Sequence, residues 1–538
     1  MDRREWLRRG GLAGLGVAGL GASGWSPREL GAAHGSPLGK ALEGGTSAHG
    51  IPRAQRVIFF AYDGLGWEDI GLARYWSLHN RDRVLELERL LATGASGAML
   101  THSLTSVVTD SAAASSAWST GRKIVNQAVS QYPDGTDLTP ILHLAQARGM
   151  ATGLVTTARI THATPAGWWA QIRHRDLEDD IALQYLESGL DVLLGGGEEH
   201  FLPGDRADGR DLFPAFRSRG YQVLRSREAL ARATGDRLLG VFSRGHVAYE
   251  IDRLFQGAPD PSLAELTRKG LEVMDGRDTG FVLQVEAGRV DHANHENDPG
   301  GCLHDILAAD EALKVVLDYA DRTPGTLVIV ASDHATGGGV VFGRGSGYRR
   351  TTEALQEVAR QKASYGWFRR ALGSEVTADA VRMTAADLLG VELSEEDAER
   401  LVRVHLSEER MGHRWAHTSQ PLNSVHQAVS QASVVGPRAP ATPRQALAPG
   451  TSGTGLRLNV NYASSTHTSG PVPVALYGAG ISSSGLGVVD NTQLFEVMLR
   501  ALGISFQNPM LSEEGALEAL ETASLAGDDD EAERPHWA

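Results

Sequence analysis

"TLVIVASDHATGG" (Thr326–Gly338) is a short apolar run that gives way to an aspartate, a histidine and glycines. Runs of this length, rich in Val and Ile and bounded by turn residues, read as β-strands. Working outward, the same form recurs. "RVIFFAYDG" reaches Asp63, "GFVLQVEAG" carries Glu286 near its end, "ATGLVTT" leads into "ARITHATPAG", and "DVLLGGG" ends in glycines. Between them, "DLEDDIALQYLESGL" and "HDILAADEALKVVLDYADR" carry apolar residues at helical spacing. Strands alternating with amphipathic helices predict an α/β fold, a doubly wound, mostly parallel sheet with helices on both faces. In open α/β sheets, ligands bind beyond the carboxyl ends of the strands. Asp63, Glu286, Asp333 and His334 all fall there. A single Asp after a strand reads as a turn or a helix cap; several strands ending in metal-ligand residue types read as a site.

The chain has 538 residues, 41% hydrophobic and 22% charged, which is enough to bury a large core. Its formal net charge of −15 argues against sequence-independent binding to nucleic acid or to an anionic membrane, since both reward basic patches. No nucleic acid partner is expected, and an anionic substrate will need local positive charge. Cys302 is the one cysteine, so no intrachain disulfide is possible.

"MDRREWLRRGGLAGLGVAGLGASGW" (Met1–Trp25) sets a basic segment before an uncharged run from Gly10 to Trp25. That run is too short and too weakly apolar for a membrane span of ~20 residues. Charge followed by an uncharged run is the order of an export signal, and "RREWL" resembles the twin-arginine signal that routes folded proteins across the bacterial membrane. Residues 1–50 are expected to be signal and linker. The mature protein is then periplasmic or extracellular, without a membrane span.

From about Val341 to Val460 the character shifts to charged helical segments such as "TADAVRMTAADLLGVELSEEDAERLVRVHL", then to "VVGPRAPATPRQALAPGTSG". This predicts a crown-like insertion within one α/β domain that covers about residues 51–510. After it, "HTSGPVPVALYGAG" returns to sheet-like sequence and "NTQLFEVMLRALG" predicts the last core helix. Residues 511–538, which end in "AGDDDEAERPHWA", read as an acidic tail.

"VEAGRVDHANHEND" holds Glu286, Asp291, His292, His295 and Glu296. Asp291 and His295, four apart, can reach one cation from adjacent turns of a helix or tight loop. Counted with Asp333, His334 and the later His467, three histidine or acidic ligands per ion point to Zn²⁺ with open positions, hence to catalytic zinc. Two such ions ~4 Å apart clamp an in-line displacement, one at the attacking oxygen and one at the leaving oxygen.

"VVTDSAAASSAWSTGRK" (Val107–Lys123) places an Asp and a Ser before a run of small residues. Both are preferred N-cap types, and "SAAASSAW" reads as the first half of a helix. A serine at a helix N-terminus also sits where backbone N–H groups and the helix dipole favour a phosphate or an oxyanion. The sequence shows no obvious histidine base for Ser111; coordination to a metal would supply the alkoxide directly.

"YDGLG", "TDSAAASSAWSTG", "THATPAG", "VEAGRVDHANHE", "ASDHATGG" and "STHTSGPVPVALYG" stand here in the order and approximate spacing of the alkaline phosphatases, which the chain resembles from Val57 to about Gly480. "LLGGGEEHFLP" and "LLGVFSRGHVAYEIDR" also look like segments of that family. Carried over position by position, the resemblance implies that Ser111 is the phosphorylated nucleophile. It makes Asp291, His295 and His467 the ligands of one zinc, and Asp63, Asp333 and His334, joined by Ser111, those of a second. A third ion, magnesium in many members, would be shared by Asp63, Thr164 and Glu286. Arg175 falls where the family places its phosphate-gripping arginine, with Arg173 a nearby competitor. The planar fork of Arg suits two phosphate oxygens, and hard oxygen ligands suit magnesium.

His162 stands where the best-known bacterial members carry Asp, and His292 where they carry Lys. Imidazole is a softer ligand than carboxylate and favours zinc or cobalt over magnesium at the third site. The resemblance implies hydrolysis of small phosphate monoesters, and a homodimer. A sulfatase would want a Cys or Ser in a "CxPxR"-like context, and "DSAAAS" lacks the Pro and the Arg. The remaining alternatives are a phosphodiesterase of the same superfamily, which needs room for a second ester group, and a metal- or phosphate-binding relative without catalysis.

Overall fold

The computed structural model describes residues 53–343, 346–374, 376–411, 425, 433–434, 460–483, 485–512 and 515. The expected export segment, most of the Pro-, Ala- and Gly-rich stretch and nearly all of the expected acidic tail lie outside these residues.

Among the described residues, ten strands form one sheet: β1 (Arg56–Tyr62), β2 (Ala95–Leu100), β3 (Ala151–Arg159), β4 (Val192–Gly196), β5 (Gln222–Leu224), β6 (Leu238–Val241), β7 (Phe281–Ala287), β8 (Thr326–Ser332), β9 (Val472–Gly478) and β10 (Gly487–Asp490). Their order across the sheet is β10-β2-β9-β8-β1-β7-β3-β4-β6-β5. Pairing is parallel except along β9, which runs antiparallel between β2 and β8. The expected α/β class and mostly parallel sheet are what the structure shows.

The strand side chains divide between two cores, as a sheet covered on both faces requires. In β1, Ile58, Phe60 and Tyr62 enter one buried cluster while Val57, Phe59 and Ala61 enter the other. The first face is covered by α1 (Trp67–Arg81), by α3 (Leu263–Asp275) and by α5 (Pro299–Arg322), which supplies Leu303, Ile306, Leu313 and Val316. The opposite face is covered by α2 (Ser111–Thr120) and α6 (Gln493–Leu502). There Phe59 lies between Trp118 and Trp168, each 4.8 Å away ring to ring. Truncating a buried Phe of this kind costs ~3–5 kcal/mol.

Val341 pairs with Val460 in a two-residue antiparallel ladder, at the two bounds of the stretch read from the sequence as an insertion. Its described part is largely helical, from Thr351–Gln356 to Glu395–Met411. Leu355, Val358, Tyr365 and Phe368 bury into the cluster on the α5 face. Two buried carboxylates hold it there. Asp298 accepts from Gln361 Nε2 (2.6 Å) and the Tyr365 amide (2.7 Å), and Asp252 accepts from the amide and hydroxyl of Ser364 (both 2.7 Å).

Candidate active site and metal centre

Strand register assembles the site. Tyr62 lies opposite both Ser332 on β8 and Ala287 on β7, so Asp63 and Asp333 emerge side by side as the first residues beyond their strands. Glu286, one residue short of the end of β7, is level with Ala61 and with Thr156 on β3. The chain then turns into α4 (Arg289–His295), which brings Asp291 and His295 to the same end of the sheet on successive turns. Gly64 permits this closeness: its φ is +74°, and a Cβ there would stand 2.6 Å from Cα and Cβ of Asp291.

Among the described residues, three groups of ligand atoms converge, each within 4.8 Å: Asp291, His334 and His467; Asp63, Asp333 and His334; and Asp63, His162 and Glu286. His295 joins the first, with Nε2 at 3.2 Å from Asp291 Oδ2 and 3.0 Å from His467 Nε2. The other ring nitrogens are held by backbone carbonyls, His295 Nδ1 by Ser465 (2.6 Å) and His467 Nδ1 by Thr109 (2.9 Å). His467 reaches the site through a two-residue ladder in which it faces Thr336. Thr164 is fully buried on the short turn Ala163–Ala166.

Ser111 is the first residue of α2, and the cap is its neighbour: Asp110 Oδ1 accepts from the Ala113 amide at 2.9 Å. The serine hydroxyl is thereby left for other work. It lies 3.2 Å from His334 Nε2, so a histidine does stand beside Ser111, although the sequence offered none as a base. Arg175 is buried while Arg173 is exposed. The Arg175 fork spans Asp110 Oδ2 (3.1 Å) and His162 Nε2 (2.9 Å).

Electrostatics suit this cleft to cations. Asp63 Oδ1 and Oδ2, Asp333 Oδ2 and Glu286 Oε1 are buried with no hydrogen-bond partner among the described residues. Burying such groups ionised and unpaired is costly. Burial, with neighbouring carboxylates adding to it, pushes Asp63 well above the usual carboxylate range. Burial also raises Glu286 to about 7 and Asp333 to about 8. Burial holds His334 well below the ordinary histidine value and His467 at about 4, leaving both imidazoles neutral as metal ligation requires. Buried carboxylates crowded together beside neutral imidazoles form a donor set that fits divalent metal ions.

Two contributing residues, Thr156 and His246, carried no sequence signal of their own. Thr156 Oγ1 donates to Glu286 Oε2 at 2.5 Å; strand register alone brings the pair together. His292 contacts Arg289, and its ring lies 5.5 Å from His162 and 4.3 Å from His246. His246 is a lone histidine in "SRGHVAYE", without a spacing that marks it.

The sequence matches the alkaline phosphatase family profile over residues 54–504. It is 35% identical to the repressible alkaline phosphatase of Saccharomyces cerevisiae over 316 residues, which span 53% of this chain and 56% of the yeast protein. It is 30% identical to alkaline phosphatase 3 of Bacillus subtilis over 402 residues, 73% of this chain and 77% of that protein. The crystal structure of Thermus thermophilus alkaline phosphatase superposes with a TM-score of 0.81 at 42% identity, covering 93% of this chain and 100% of that one. With the profile running from the first strand past the last core helix, the chain belongs to the alkaline phosphatase family.

Proposed function

We propose that this chain hydrolyses small phosphate monoesters through a phosphoserine on Ser111, with two zinc ions and a third metal held by the residues just described. The observation that carries this reading is the Ser111 hydroxyl, set at a helix N-terminus 3.2 Å from Nε2 of His334, a residue common to two of the ligand groups. Asp291, His295 and His467 would hold one zinc; Asp63, Asp333 and His334, joined by Ser111, the second. Asp63, Thr164 and Glu286, with His162 beside them, would hold the third ion, magnesium or, given the imidazole, zinc or cobalt. Bound there, the zinc pair would supply positive charge to the attacking and leaving oxygens and acidify the Ser111 hydroxyl.

The chain's own groups do the rest. Arg175 turns its fork onto two phosphoryl oxygens, and the N–H groups at the start of α2 face the same charge. Ser111 Oγ attacks phosphorus as its proton leaves; the ester P–O bond breaks and the alcohol departs with a proton. Water then attacks the phosphoserine, the Oγ–P bond breaks, and inorganic phosphate leaves as Ser111 recovers its proton.

Metal analysis of the purified protein, paired with monoester and diester assays, tests this reading. Monoester turnover with two zinc ions per chain supports it; faster turnover of diesters would favour a phosphodiesterase. We also propose export by the twin-arginine route and assembly as a homodimer, the latter to be tested by light scattering of the mature protein.

A further inference from the structure

Thr336 is fully buried and has no role in the chemistry above. Its backbone amide donates to the Gly64 carbonyl at 3.2 Å, which fixes where its side chain sits. The hydroxyl contacts Asp291 Oδ1 on one side and lies 3.1 Å from His334 Nδ1 on the other. Those two neighbours belong to different zinc sites in the reading proposed above, on which this inference rests. A threonine hydroxyl has one hydrogen, and a carboxylate can only accept. The hydrogen therefore goes to Asp291, and the Thr336 oxygen must accept Nδ1–H from His334. That contact fixes the imidazole as its Nδ1–H tautomer and leaves the Nε2 lone pair facing Ser111 Oγ (3.2 Å), Asp333 Oδ2 (3.2 Å) and Asp63 Oδ1 (3.7 Å).

We propose that Thr336 is a positioning residue that ties the two zinc sites together through one hydroxyl, orienting the Asp291 carboxylate for one ion and presenting His334 Nε2 to the other. Partners of this kind, placed behind the ligands, commonly change metal affinity ~10–100-fold when removed. Because one hydroxyl serves both sites, its loss weakens both ions together.

The test is Zn²⁺ titration of metal-free protein against a chromophoric chelator, a readout independent of turnover. Wild type, Thr336→Val, Thr336→Ala and Thr336→Ser are compared, with melting of each metal-free variant recorded alongside. Ala, which cannot overpack the site, gives a second route should the Val variant not fold. The expected result is that Val and Ala weaken both zinc equivalents by ~10–100-fold, while Ser, which keeps the hydroxyl, stays close to wild type. Val and Ala variants that bind both equivalents like wild type overturn the inference, as does a Ser variant impaired as much as Val. Wild-type protein that takes up no zinc overturns the two-zinc reading itself, and the inference with it.

Discussion

Ser111 Oγ lies 3.2 Å from His334 Nε2, although 223 residues separate the two in sequence. The contact joins the N-terminus of α2 to the residue two past the end of β8, so the packing of this helix against the sheet sets the distance between the proposed nucleophile and a proposed metal ligand. The same nitrogen cannot hold a serine proton and a metal ion at once. Loading the site with metal must therefore break the Ser111–His334 hydrogen bond.

Arg175 meets two partners through its fork, Asp110 and His162, and a lysine cannot reproduce that planar pair of donors. Arg175→Lys is expected to weaken inhibition by inorganic phosphate ~10–100-fold, the equivalent of one or two charge-assisted hydrogen bonds. Measuring the inhibition constant for phosphate at fixed pH decides it. An unchanged constant would place Arg175 outside the phosphate site.

Removal of the metals should expose a pH dependence with a definite sign. In the metal-free chain, burial raises Glu286 to about 7 and Asp333 to about 8, whereas unfolded carboxylates titrate near ~4. Between these values the folded form keeps protons that the unfolded form releases, so stability falls as pH rises. Chelator-treated protein should melt progressively lower from pH 5 to pH 8, and the gap to metal-loaded protein should widen. A gap that stays constant across this range contradicts the assignment of these carboxylates as cation ligands.

At the third site, His162 converges with Asp63 and Glu286, and its ring lies 5.5 Å from that of His292. Replacing His162 by Asp and His292 by Lys adds a hard oxygen ligand beside two others. Activity of the double variant should depend more steeply on added Mg²⁺ than that of the wild type. If the wild type already requires Mg²⁺ for full activity and the variant's metal profile is the same, the histidines do not select the ion.

Export is tested by fusing residues 1–50 to a folded reporter. The fusion should leave the cytoplasm through the twin-arginine route, and Arg3→Lys with Arg4→Lys should hold it back. A reporter retained with both arginines intact contradicts the signal reading.

The strands that carry ligands were legible because each joins a long apolar run to an abrupt polar end, as in β1, β7 and β8. β2 ("ASGAML") and β10 ("GVVD") were not: small residues and glycine give no apolar run, and both strands form through pairing with distant neighbours. The ligands themselves stood out as clustered Asp and His, and Asp291 with His295 kept the helical spacing that the sequence implied. What the sequence could not reveal were pairings set by register and packing. Thr156 against Glu286 and His246 beside His292 depend on chain segments brought together only by the fold, and the choice of Asp110 over Ser111 as the cap is a local one that two preferred N-cap types side by side left open.

A phosphoryl group on Ser111 is detected by acid quenching of the enzyme during turnover of a labelled monoester, followed by mass spectrometry of the peptide containing Thr109–Gly121. Wild-type protein is expected to carry phosphate on Ser111. Ser111→Ala is expected to show no phosphate on the peptide, at least ~10³-fold lower turnover, and largely retained metal binding. Wild-type peptide that never carries phosphate, or a Ser111→Ala variant that keeps the wild-type kcat, rules Ser111 out as the phosphorylated residue.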